Sequence, residues 1–175
     1  MNQNILIAGF GGQGILFAGK FLAYKGLIEG KNISWLPSYG PEMRGGTANC
    51  SVIISDEPVG SPIVNHPDIL VAMNLPSLDK YEDAVVSGGK IFIDSSLIER
   101  KVLRTDVEAF YVPATRMAAD NGTAGLANMI MLGKIMKECG MDTSDVDDAL
   151  NKVIPAKHAD MFEYNVSAIK CGMEY

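Results

Sequence analysis

The chain has 175 residues, the length of one domain, and 47% of them are hydrophobic, which is enough for a sizeable core. Its formal charge is −6, from 15 basic and 21 acidic side chains, and this excess of acid argues against a general nucleic-acid surface. No apolar run approaches the roughly 18 residues of a membrane span. The first residues, Met1 to Asn4, lack the basic stretch of a secretory signal. We therefore expect a cytoplasmic protein that contacts neither nucleic acid nor membrane.

The cysteines and histidines give no sign of a metal site. Cys50, Cys139 and Cys171 are far apart, and none belongs to a Cys-x-x-Cys pair. They cannot alone supply the usual four thiolates of an iron–sulfur cluster, and a sparse, odd number fits reduced thiols in a cytoplasm. His66 and His158 have no suitably spaced Cys or His partner. We therefore interpret all three cysteines as small core or surface residues.

Strands and helices alternate through the first part of the chain. The predicted strands cover residues 4–8, 33–36, 47–55, 68–73, 90–94 and 109–112. The predicted helices cover residues from about 13 to 28, 75 to about 86, 125–137, 145–153 and, after Pro155, a last stretch to about 171. This order predicts a single α/β domain over residues 1–175, with a mainly parallel sheet flanked by helices and a helical C-terminal part.

Three short polar segments adjoin these elements. Thr143 and Ser144 are expected to cap the helix that starts at 145. Asn121 and Thr123 bracket a glycine before a buried helix, and capping is their expected role. The run 94–96, Asp-Ser-Ser, follows a strand, and a turn is favoured there over a catalytic trio because no histidine can be placed beside it.

The first strand ends in a glycine-rich turn. Gly9, Gly11 and Gly14 match the G-x-G-x-x-G pattern between a strand and a helix. The pattern allows three interpretations: a dinucleotide site, close packing of the helix on the sheet, or an anion or cofactor fragment approaching the turn. A dinucleotide site expects an acid at the end of the second strand, which is missing because Glu29 comes too early.

The segment between the second and third predicted strands breaks all periodicity, and structureless loops of this length usually carry function. Arg44 offers a fork of donors for a phosphate or carboxylate. Gly45 and Gly46 allow close backbone approach, and Tyr39 can stack or donate a hydrogen bond. Glu42 can steer Arg44 or contact another subunit. In the competing interpretation, Glu42 and Arg44 form an ordinary ion pair that braces the loop.

Two of these segments together resemble a known family. They are residues 7–15, Ile-Ala-Gly-Phe-Gly-Gly-Gln-Gly-Ile, and residues 38–48, Ser-Tyr-Gly-Pro-Glu-Met-Arg-Gly-Gly-Thr-Ala. Both are similar to the paired motifs of the gamma subunit of 2-oxoacid:ferredoxin oxidoreductases, the pyruvate/ketoisovalerate oxidoreductase gamma-type domain. The resemblance continues through residues 59–62, 94–96 and 127–130 and covers essentially the whole chain.

The resemblance implies a function in a complex. Such enzymes oxidatively decarboxylate a 2-oxoacid, here 2-oxoglutarate or a branched-chain 2-oxoacid, to acyl-CoA and reduce ferredoxin. It implies alpha and beta partner subunits, with a delta subunit where the clusters lie on a ferredoxin-like chain. Those partners would hold the thiamine diphosphate, Mg²⁺ and iron–sulfur clusters, and coenzyme A would be the co-substrate. The isolated chain is then expected to be inactive and to hold no cofactor or metal by itself.

By the same resemblance, this chain would supply no catalytic residue but would border the coenzyme A pocket. The expected cofactor-binding residues are Gly11, Gly12, Gln13, Gly14, Tyr39, Glu42, Arg44, Gly45, Gly46 and Thr47. Two alternatives stay open: a freestanding dinucleotide-binding reductase, and a purely structural interaction protein.

Overall fold

A computed structural model describes residues 2–38 and 47–175, and in this part of the chain a six-stranded sheet carries helices on both faces. The strands are β1 (Gln3–Phe10), β2 (Asn32–Ser38), β3 (Thr47–Ser55), β4 (Ile69–Ala72), β5 (Lys90–Asp94) and β6 (Glu108–Val112). The α-helices are α1 (Ile15–Ile28), α2 (Leu75–Tyr81), α3 (Ala114–Asp120), α4 (Ala127–Glu138), α5 (Val146–Val153) and α6 (Phe162–Glu174). Short 3-10 segments cover Glu82–Ala84 and Ala156–Met161.

The sheet has the order β2-β3-β1-β4-β5-β6. The pairs β1–β4, β4–β5 and β5–β6 are parallel, whereas β3 runs antiparallel to both β1 and β2. The prediction of a mainly parallel sheet is confirmed, with β3 as its reversed strand. The reversal follows from the short connection 39–46, because a parallel return needs a crossover of a dozen or more residues.

Side chains alternate between two cores because successive residues of a strand point to opposite faces. Ile5 and Ile7 of β1 belong to the larger core, which the sheet shares with α1, α4, α5 and α6. Leu6, between them, joins the smaller core with Leu78 of α2. In β5, Phe92 likewise faces the larger core. Helix α1 is apolar nearly all round because it contacts the sheet on one side and α5 on another.

Helices α4 and α6 pack with their backbones in close approach. A Cβ atom added at Gly172 would lie 1.8 Å from the carbonyl oxygen of Ile130. One added at Gly133 would lie 2.0 Å from the carbonyl oxygen of Ile169. Backbone atoms cannot move aside as a flexible side chain does, so glycine is required at both contacts.

Several predicted boundaries shift. The helix predicted to reach about residue 86 ends at Tyr81 and continues as the 3-10 segment Glu82–Ala84. The last predicted helix begins as the 3-10 segment Ala156–Met161, and its α-helical part starts at Phe162. Helix α3 was not predicted as a separate element.

The predicted cap of α5 is wrong. The N-cap residue is Asp145, without a side-chain cap hydrogen bond. Ser144 instead donates its backbone N–H and its hydroxyl to the carboxylate of Asp142, at 2.9 and 3.0 Å. The Asp145 carboxylate lies 3.0 Å from Nζ of the buried Lys25, so an ion pair between α1 and the start of α5 occupies it.

The other two polar segments have local roles. Thr123 donates its N–H and its hydroxyl to the carbonyl of Ala118, and Asn121 donates to that of Met117. These residues therefore cap the end of α3, which precedes them, and not the start of α4. The buried Asp94 carboxylate accepts the Ser96 N–H and the Thr115 hydroxyl, which confirms a strand-end turn.

No helix within residues 2–38 and 47–175 combines the length and the apolar character that crossing a membrane requires.

Replacing Gly172 by Ala should lower the free energy of unfolding by at least about 1–3 kcal/mol, because the new methyl group forces α6 away from α4. Urea unfolding of the purified chain measures this. The matched control is Gly60→Ala, where an added Cβ meets nothing within 4 Å. Equal stabilities for the two variants would contradict the close helix contact.

Candidate functional site

The glycine-rich turn lies where two neighbouring parallel strands send their helices to opposite faces of the sheet. Helix α1 follows β1 and packs on the larger core, whereas α2 follows β4 and packs on the smaller one. β1 and β4 are adjacent in the sheet. In open α/β sheets, the crevice outside the carboxyl ends of such strands is where ligands bind. The turn, residues 11–14, is therefore at the position that favours a site.

Two glycines shape the turn. Gly12 has φ 91°, and Gly14, with φ 71° and ψ 22°, is in the left-handed region. L-residues with side chains rarely adopt these values, whereas glycine adopts them freely. Gly14 is the N-cap of α1, so the helix begins at Ile15 and not at the predicted residue 13.

The side chain of Gln13 joins two strands across the crevice. Its Oε1 accepts the N–H of Phe10 at 2.7 Å, and its Nε2 donates to the carbonyl of Met73 at 3.0 Å. Phe10 ends β1, and Met73 follows β4. Gln13 is thus placed as a positioning residue: its amide is occupied by backbone groups.

Asn128, near the start of α4, binds the glycine-rich turn from a different side than Gln13. Its Nδ2 donates to the carbonyl of Gly14 at 3.1 Å, and its side chain is buried. The expected set of site residues did not include Asn128, although it lies in the family-like stretch 127–130. The signal that could have found it is a single amide among the apolar residues that begin α4.

The glycines of residues 9–14 divide into two kinds. A Cβ at Gly9 would lie 2.5 Å from Oε1 of Gln13, and one at Gly14 would lie 2.4 Å from Nδ2 of Asn128. Close packing therefore explains these two. Gly11 and Gly12 are exposed, and a Cβ at Gly12 meets nothing within 4 Å. Side-chain packing therefore does not explain Gly12, and both residues lie on the surface of the turn.

Two clefts border the turn. The first, about 300 Å³, is lined by Gly11, Gly12, Phe10 and Ala48 among others. The second, about 360 Å³, lies against α4, α6 and the segment that joins α5 to α6. Gly14 and Phe17 line both clefts, so both clefts adjoin the start of α1.

Among the residues that the structure describes, the ionisable groups near the turn supply neither a nucleophile nor a ribose acceptor. Cys50 lies beneath the start of α1, 3.5 Å from the carbonyl oxygen of Ile15, and burial raises the pKa of its thiol to about 12. It therefore stays protonated near neutral pH. Strand β2 carries no acid, and Glu29 ends α1 in an ion pair with Lys25. Among the described residues, no three His, Cys, Asp or Glu side chains group as metal ligands.

Part of the expected site falls on residues outside the described ranges. These are Tyr39, Glu42, Arg44, Gly45 and Gly46, and their roles stay predictions. Thr47 begins β3, where its backbone pairs with Phe10 at the end of β1. Ser38, which ends β2, pairs with Asn49. The two ends that flank the segment 39–46 therefore both lie at the edge of the sheet that carries the glycine-rich turn.

Replacing Gln13 by Leu should lower the free energy of unfolding by about 1–3 kcal/mol, because the Met73 carbonyl would lose its donor in a buried position. Gln13→Glu is the matched control: it keeps an acceptor for the Phe10 N–H but has no N–H for Met73. Urea unfolding should place Gln13→Glu between Gln13→Leu and the wild type. A Gln13→Leu variant as stable as the wild type would refute the bridging role.

Comparison with known proteins identifies relatives over the whole chain. The family described as pyruvate ferredoxin/flavodoxin oxidoreductase matches residues 4–175. Ketoisovalerate oxidoreductase subunit VorA of Methanothermobacter thermautotrophicus is 43% identical over 173 residues, which are 98% of this chain and 36% of the relative. The chain thus spans about a third of that relative. 2-Oxoglutarate synthase subunit KorC of Methanothermobacter marburgensis is 36% identical over 99% of this chain and 96% of its own length.

Solved structures agree with this relationship. The gamma subunit of a keto/oxoacid ferredoxin oxidoreductase from Geobacter sulfurreducens superposes with a TM-score of 0.82 at 28% identity, covering 98% of this chain and 96% of that one. A 2-oxoglutarate:ferredoxin oxidoreductase from Magnetococcus marinus has the same fold, with a TM-score of 0.88 at 22% identity, over 99% of this chain and 30% of that one.

These matches confirm the resemblance seen in the sequence motifs and give no support to a freestanding dinucleotide-binding reductase. With a family match over residues 4–175 and a relative that is aligned along nearly its full length, the chain belongs to the pyruvate ferredoxin/flavodoxin oxidoreductase family.

Proposed function

We propose that this chain is the gamma-type subunit of a 2-oxoacid:ferredoxin oxidoreductase, which oxidatively decarboxylates a 2-oxoacid to acyl-CoA and reduces ferredoxin. The observation that carries the proposal is the open backbone of Gly11 and Gly12 at the switch point of a domain from this family. The relatives are named as subunits of ketoisovalerate oxidoreductase and 2-oxoglutarate synthase, which supports the same reaction class.

In this proposal the redox chemistry belongs to the partner subunits. Cys50 is in the core, whereas Cys139 and Cys171 are partly exposed elsewhere, so the described residues offer no set of thiolates for a cluster. Thiamine diphosphate, Mg²⁺ and the iron–sulfur clusters are assigned to alpha and beta chains, with a delta chain where the complex has one. Electrons reach ferredoxin through those chains, in the cytoplasm.

The role of this chain is to bind coenzyme A, whose thiol accepts the acyl group. The related Magnetococcus marinus enzyme was solved with 2-oxoglutarate, coenzyme A and succinyl-CoA bound. No described side chain caps α1, so its first-turn N–H groups and the backbone of Gly11 and Gly12 are suited to phosphate oxygens. Arg44 would add a bidentate donor, and the neighbouring residues Tyr39, Glu42, Gly45, Gly46 and Thr47 would shape the pocket.

The substrate is proposed to be 2-oxoglutarate or a branched-chain 2-oxoacid. Both have support among the relatives, since one is a subunit of ketoisovalerate oxidoreductase and another of 2-oxoglutarate synthase. Selection of the substrate side chain is assigned to the alpha and beta partners. Activity of the co-purified complex on a panel of 2-oxoacids would identify the substrate.

The isolated chain should neither oxidise 2-oxoacids nor carry iron, whereas the complex with its partners should reduce viologen in a reaction that needs both a 2-oxoacid and coenzyme A. Leaving this chain out of the reconstitution should abolish the coenzyme A-dependent rate. Full coenzyme A-dependent activity without this chain would contradict the proposed function.

In the assembled enzyme, Arg44→Ala should raise the KM for coenzyme A roughly tenfold or more, because a charge-assisted bidentate contact to phosphate is lost. The coenzyme A-independent decarboxylation should not change. Steady-state kinetics of viologen reduction measures the first quantity, and CO₂ release without coenzyme A measures the second. Lys137→Ala, at the far end of α4 from Asn128, removes one positive charge as a control. Identical KM values for both variants would favour the purely structural alternative.

A further inference from the structure

A cavity at the carboxyl ends of β5 and β6 is separate from the two clefts beside the glycine-rich turn. Its volume is about 420 Å³, which lies within the range of small-molecule sites. β5 is two strands away from β1 in the sheet, a separation of roughly 10 Å. The described lining of this cavity has no residue in common with that of either cleft. We call it the β5–β6 cavity.

The buried carboxylate of Asp94 arranges the polar wall of the β5–β6 cavity from behind. Its Oδ1 accepts the Ser96 N–H at 3.0 Å and the Thr115 N–H at 3.4 Å, and its Oδ2 accepts the Thr115 hydroxyl. Asp94 itself is fully buried and does not line the cavity. It therefore fixes the turn after β5 against the start of α3, and it occupies the hydroxyl proton of Thr115.

The donors that this arrangement leaves over are side-chain groups in the lining. The Arg116 N–H donates to Oγ of Ser96 at 3.0 Å, so the Ser96 hydroxyl keeps its own proton for another acceptor. Within residues 2–38 and 47–175, neither the Arg116 guanidinium nor the Ser95 hydroxyl has a hydrogen-bond or salt-bridge partner. One cation and two hydroxyl donors are thus available to a ligand.

These groups fit a carboxylate better than a phosphate. A guanidinium offers parallel N–H donors that match the two oxygens of a carboxylate. Arg116 is the only formally charged residue in the described lining, so the wall carries a single positive charge. The Asp94 carboxylate behind it accepts hydrogen bonds at both oxygens, and its negative charge would repel a phosphate dianion more strongly than a monoanion.

The remaining wall of the β5–β6 cavity is apolar. Leu97, Pro113 and Ala119 line it, and 46% of the Leu97 surface is exposed. Covering this surface would remove apolar area from water, which stabilises a complex. A ligand that suits both walls therefore carries a short aliphatic body beside its carboxylate.

We propose that the β5–β6 cavity binds a small aliphatic monocarboxylate. Its carboxylate accepts hydrogen bonds from Arg116 and from the hydroxyls of Ser95 and Ser96, and its aliphatic body lies against Leu97. Asp94 is then a positioning residue, which gives the segment 94–96 a use beyond the turn that it forms. The site is independent of partner subunits and of coenzyme A, because all of its residues belong to this chain.

The test is a titration of the full isotope-labelled chain with 4-methylpentanoate, followed by NMR through the amide signals of Ser96 and Leu97. Both signals should shift to saturation, with a Kd of roughly 1 mM for a ligand of this size. In Arg116→Gln the Kd should rise roughly tenfold or more, because a charge-assisted contact is lost. 4-Methylpentanamide has the same shape without the charge, and it should bind at least about tenfold more weakly than the acid.

Lys157→Gln is the matched control. Lys157 is an exposed cation in the 3-10 segment Ala156–Met161 and does not line the β5–β6 cavity, so this variant has the net charge of Arg116→Gln with the cavity intact. Its Kd should equal that of the wild type. If Arg116→Gln does not fold, Leu97→Asp places a negative charge on the apolar wall and should abolish the saturable shifts.

Signals of Ser96 and Leu97 that do not saturate in the wild type would overturn the proposal. Equal Kd values for Arg116→Gln and Lys157→Gln would do the same, because binding would then follow the overall charge. Tighter binding of inorganic phosphate at the same signals would overturn the assignment to a carboxylate. The titration needs neither partner subunits nor coenzyme A, so its failure is distinguishable from failure of the proposed function.

Discussion

The arrangement of the sheet edge that carries the glycine-rich turn depends on the hydrogen bonds of the Gln13 side-chain amide. By accepting from Phe10 and donating to Met73, it joins the ends of two strands whose helices diverge to opposite faces of the sheet. Asn128 adds a second amide, from α4 to the carbonyl of Gly14. Because these side chains satisfy the backbone groups that pack inward, the outward backbone of the turn is left for other partners. Hydrogen bonds within the chain therefore hold the crevice, and a ligand is not needed to organise it.

The elements that local pattern determines were predicted well. Strands β3 and β5 have the predicted limits, since alternation or a short apolar run sets where a buried strand begins and ends. Elements that depend on distant partners were not. Helix α3 has only seven residues, and the hydroxyl of its Thr115 donates to Asp94 at the end of strand β5. The cap expected at Thr143 and Ser144 fails for a different reason, because Ser144 instead hydrogen-bonds to the nearby Asp142. Local side-chain contacts of this kind compete with capping, and the sequence does not show which of the two forms.

The features of the site likewise divide into those that the local sequence predicts and those that depend on distant residues. The glycine pattern indicated a turn between β1 and α1, but it could not tell which glycines pack and which stay open. That distinction comes from residues remote in sequence: Gln13 and Met73 are 60 positions apart, and Gly14 and Asn128 are 114 apart. Gly9 and Gly14 are fixed by close neighbours, whereas a Cβ at Gly12 would meet nothing within 4 Å. The packing interpretation of the motif therefore holds for Gly9 and Gly14, and the ligand interpretation stays a prediction for Gly11 and Gly12.

The net charge of −6 is compatible with the proposed binding of an anion such as coenzyme A, because the proposed contacts are local. The first turn of α1 contains no acid, and its N-terminal dipole is positive towards the turn. In the C-terminal part, the first-turn acids are Asp147 and Asp148 of α5 and Glu163 of α6, where they favour the dipoles of their own helices. The described lining of the cleft against α4 and α6 contains no Asp, Glu, Lys or Arg. A domain can therefore be acidic overall and still present oriented amides to phosphates, because fields from backbone dipoles act within the first few ångströms whereas net charge is screened by salt.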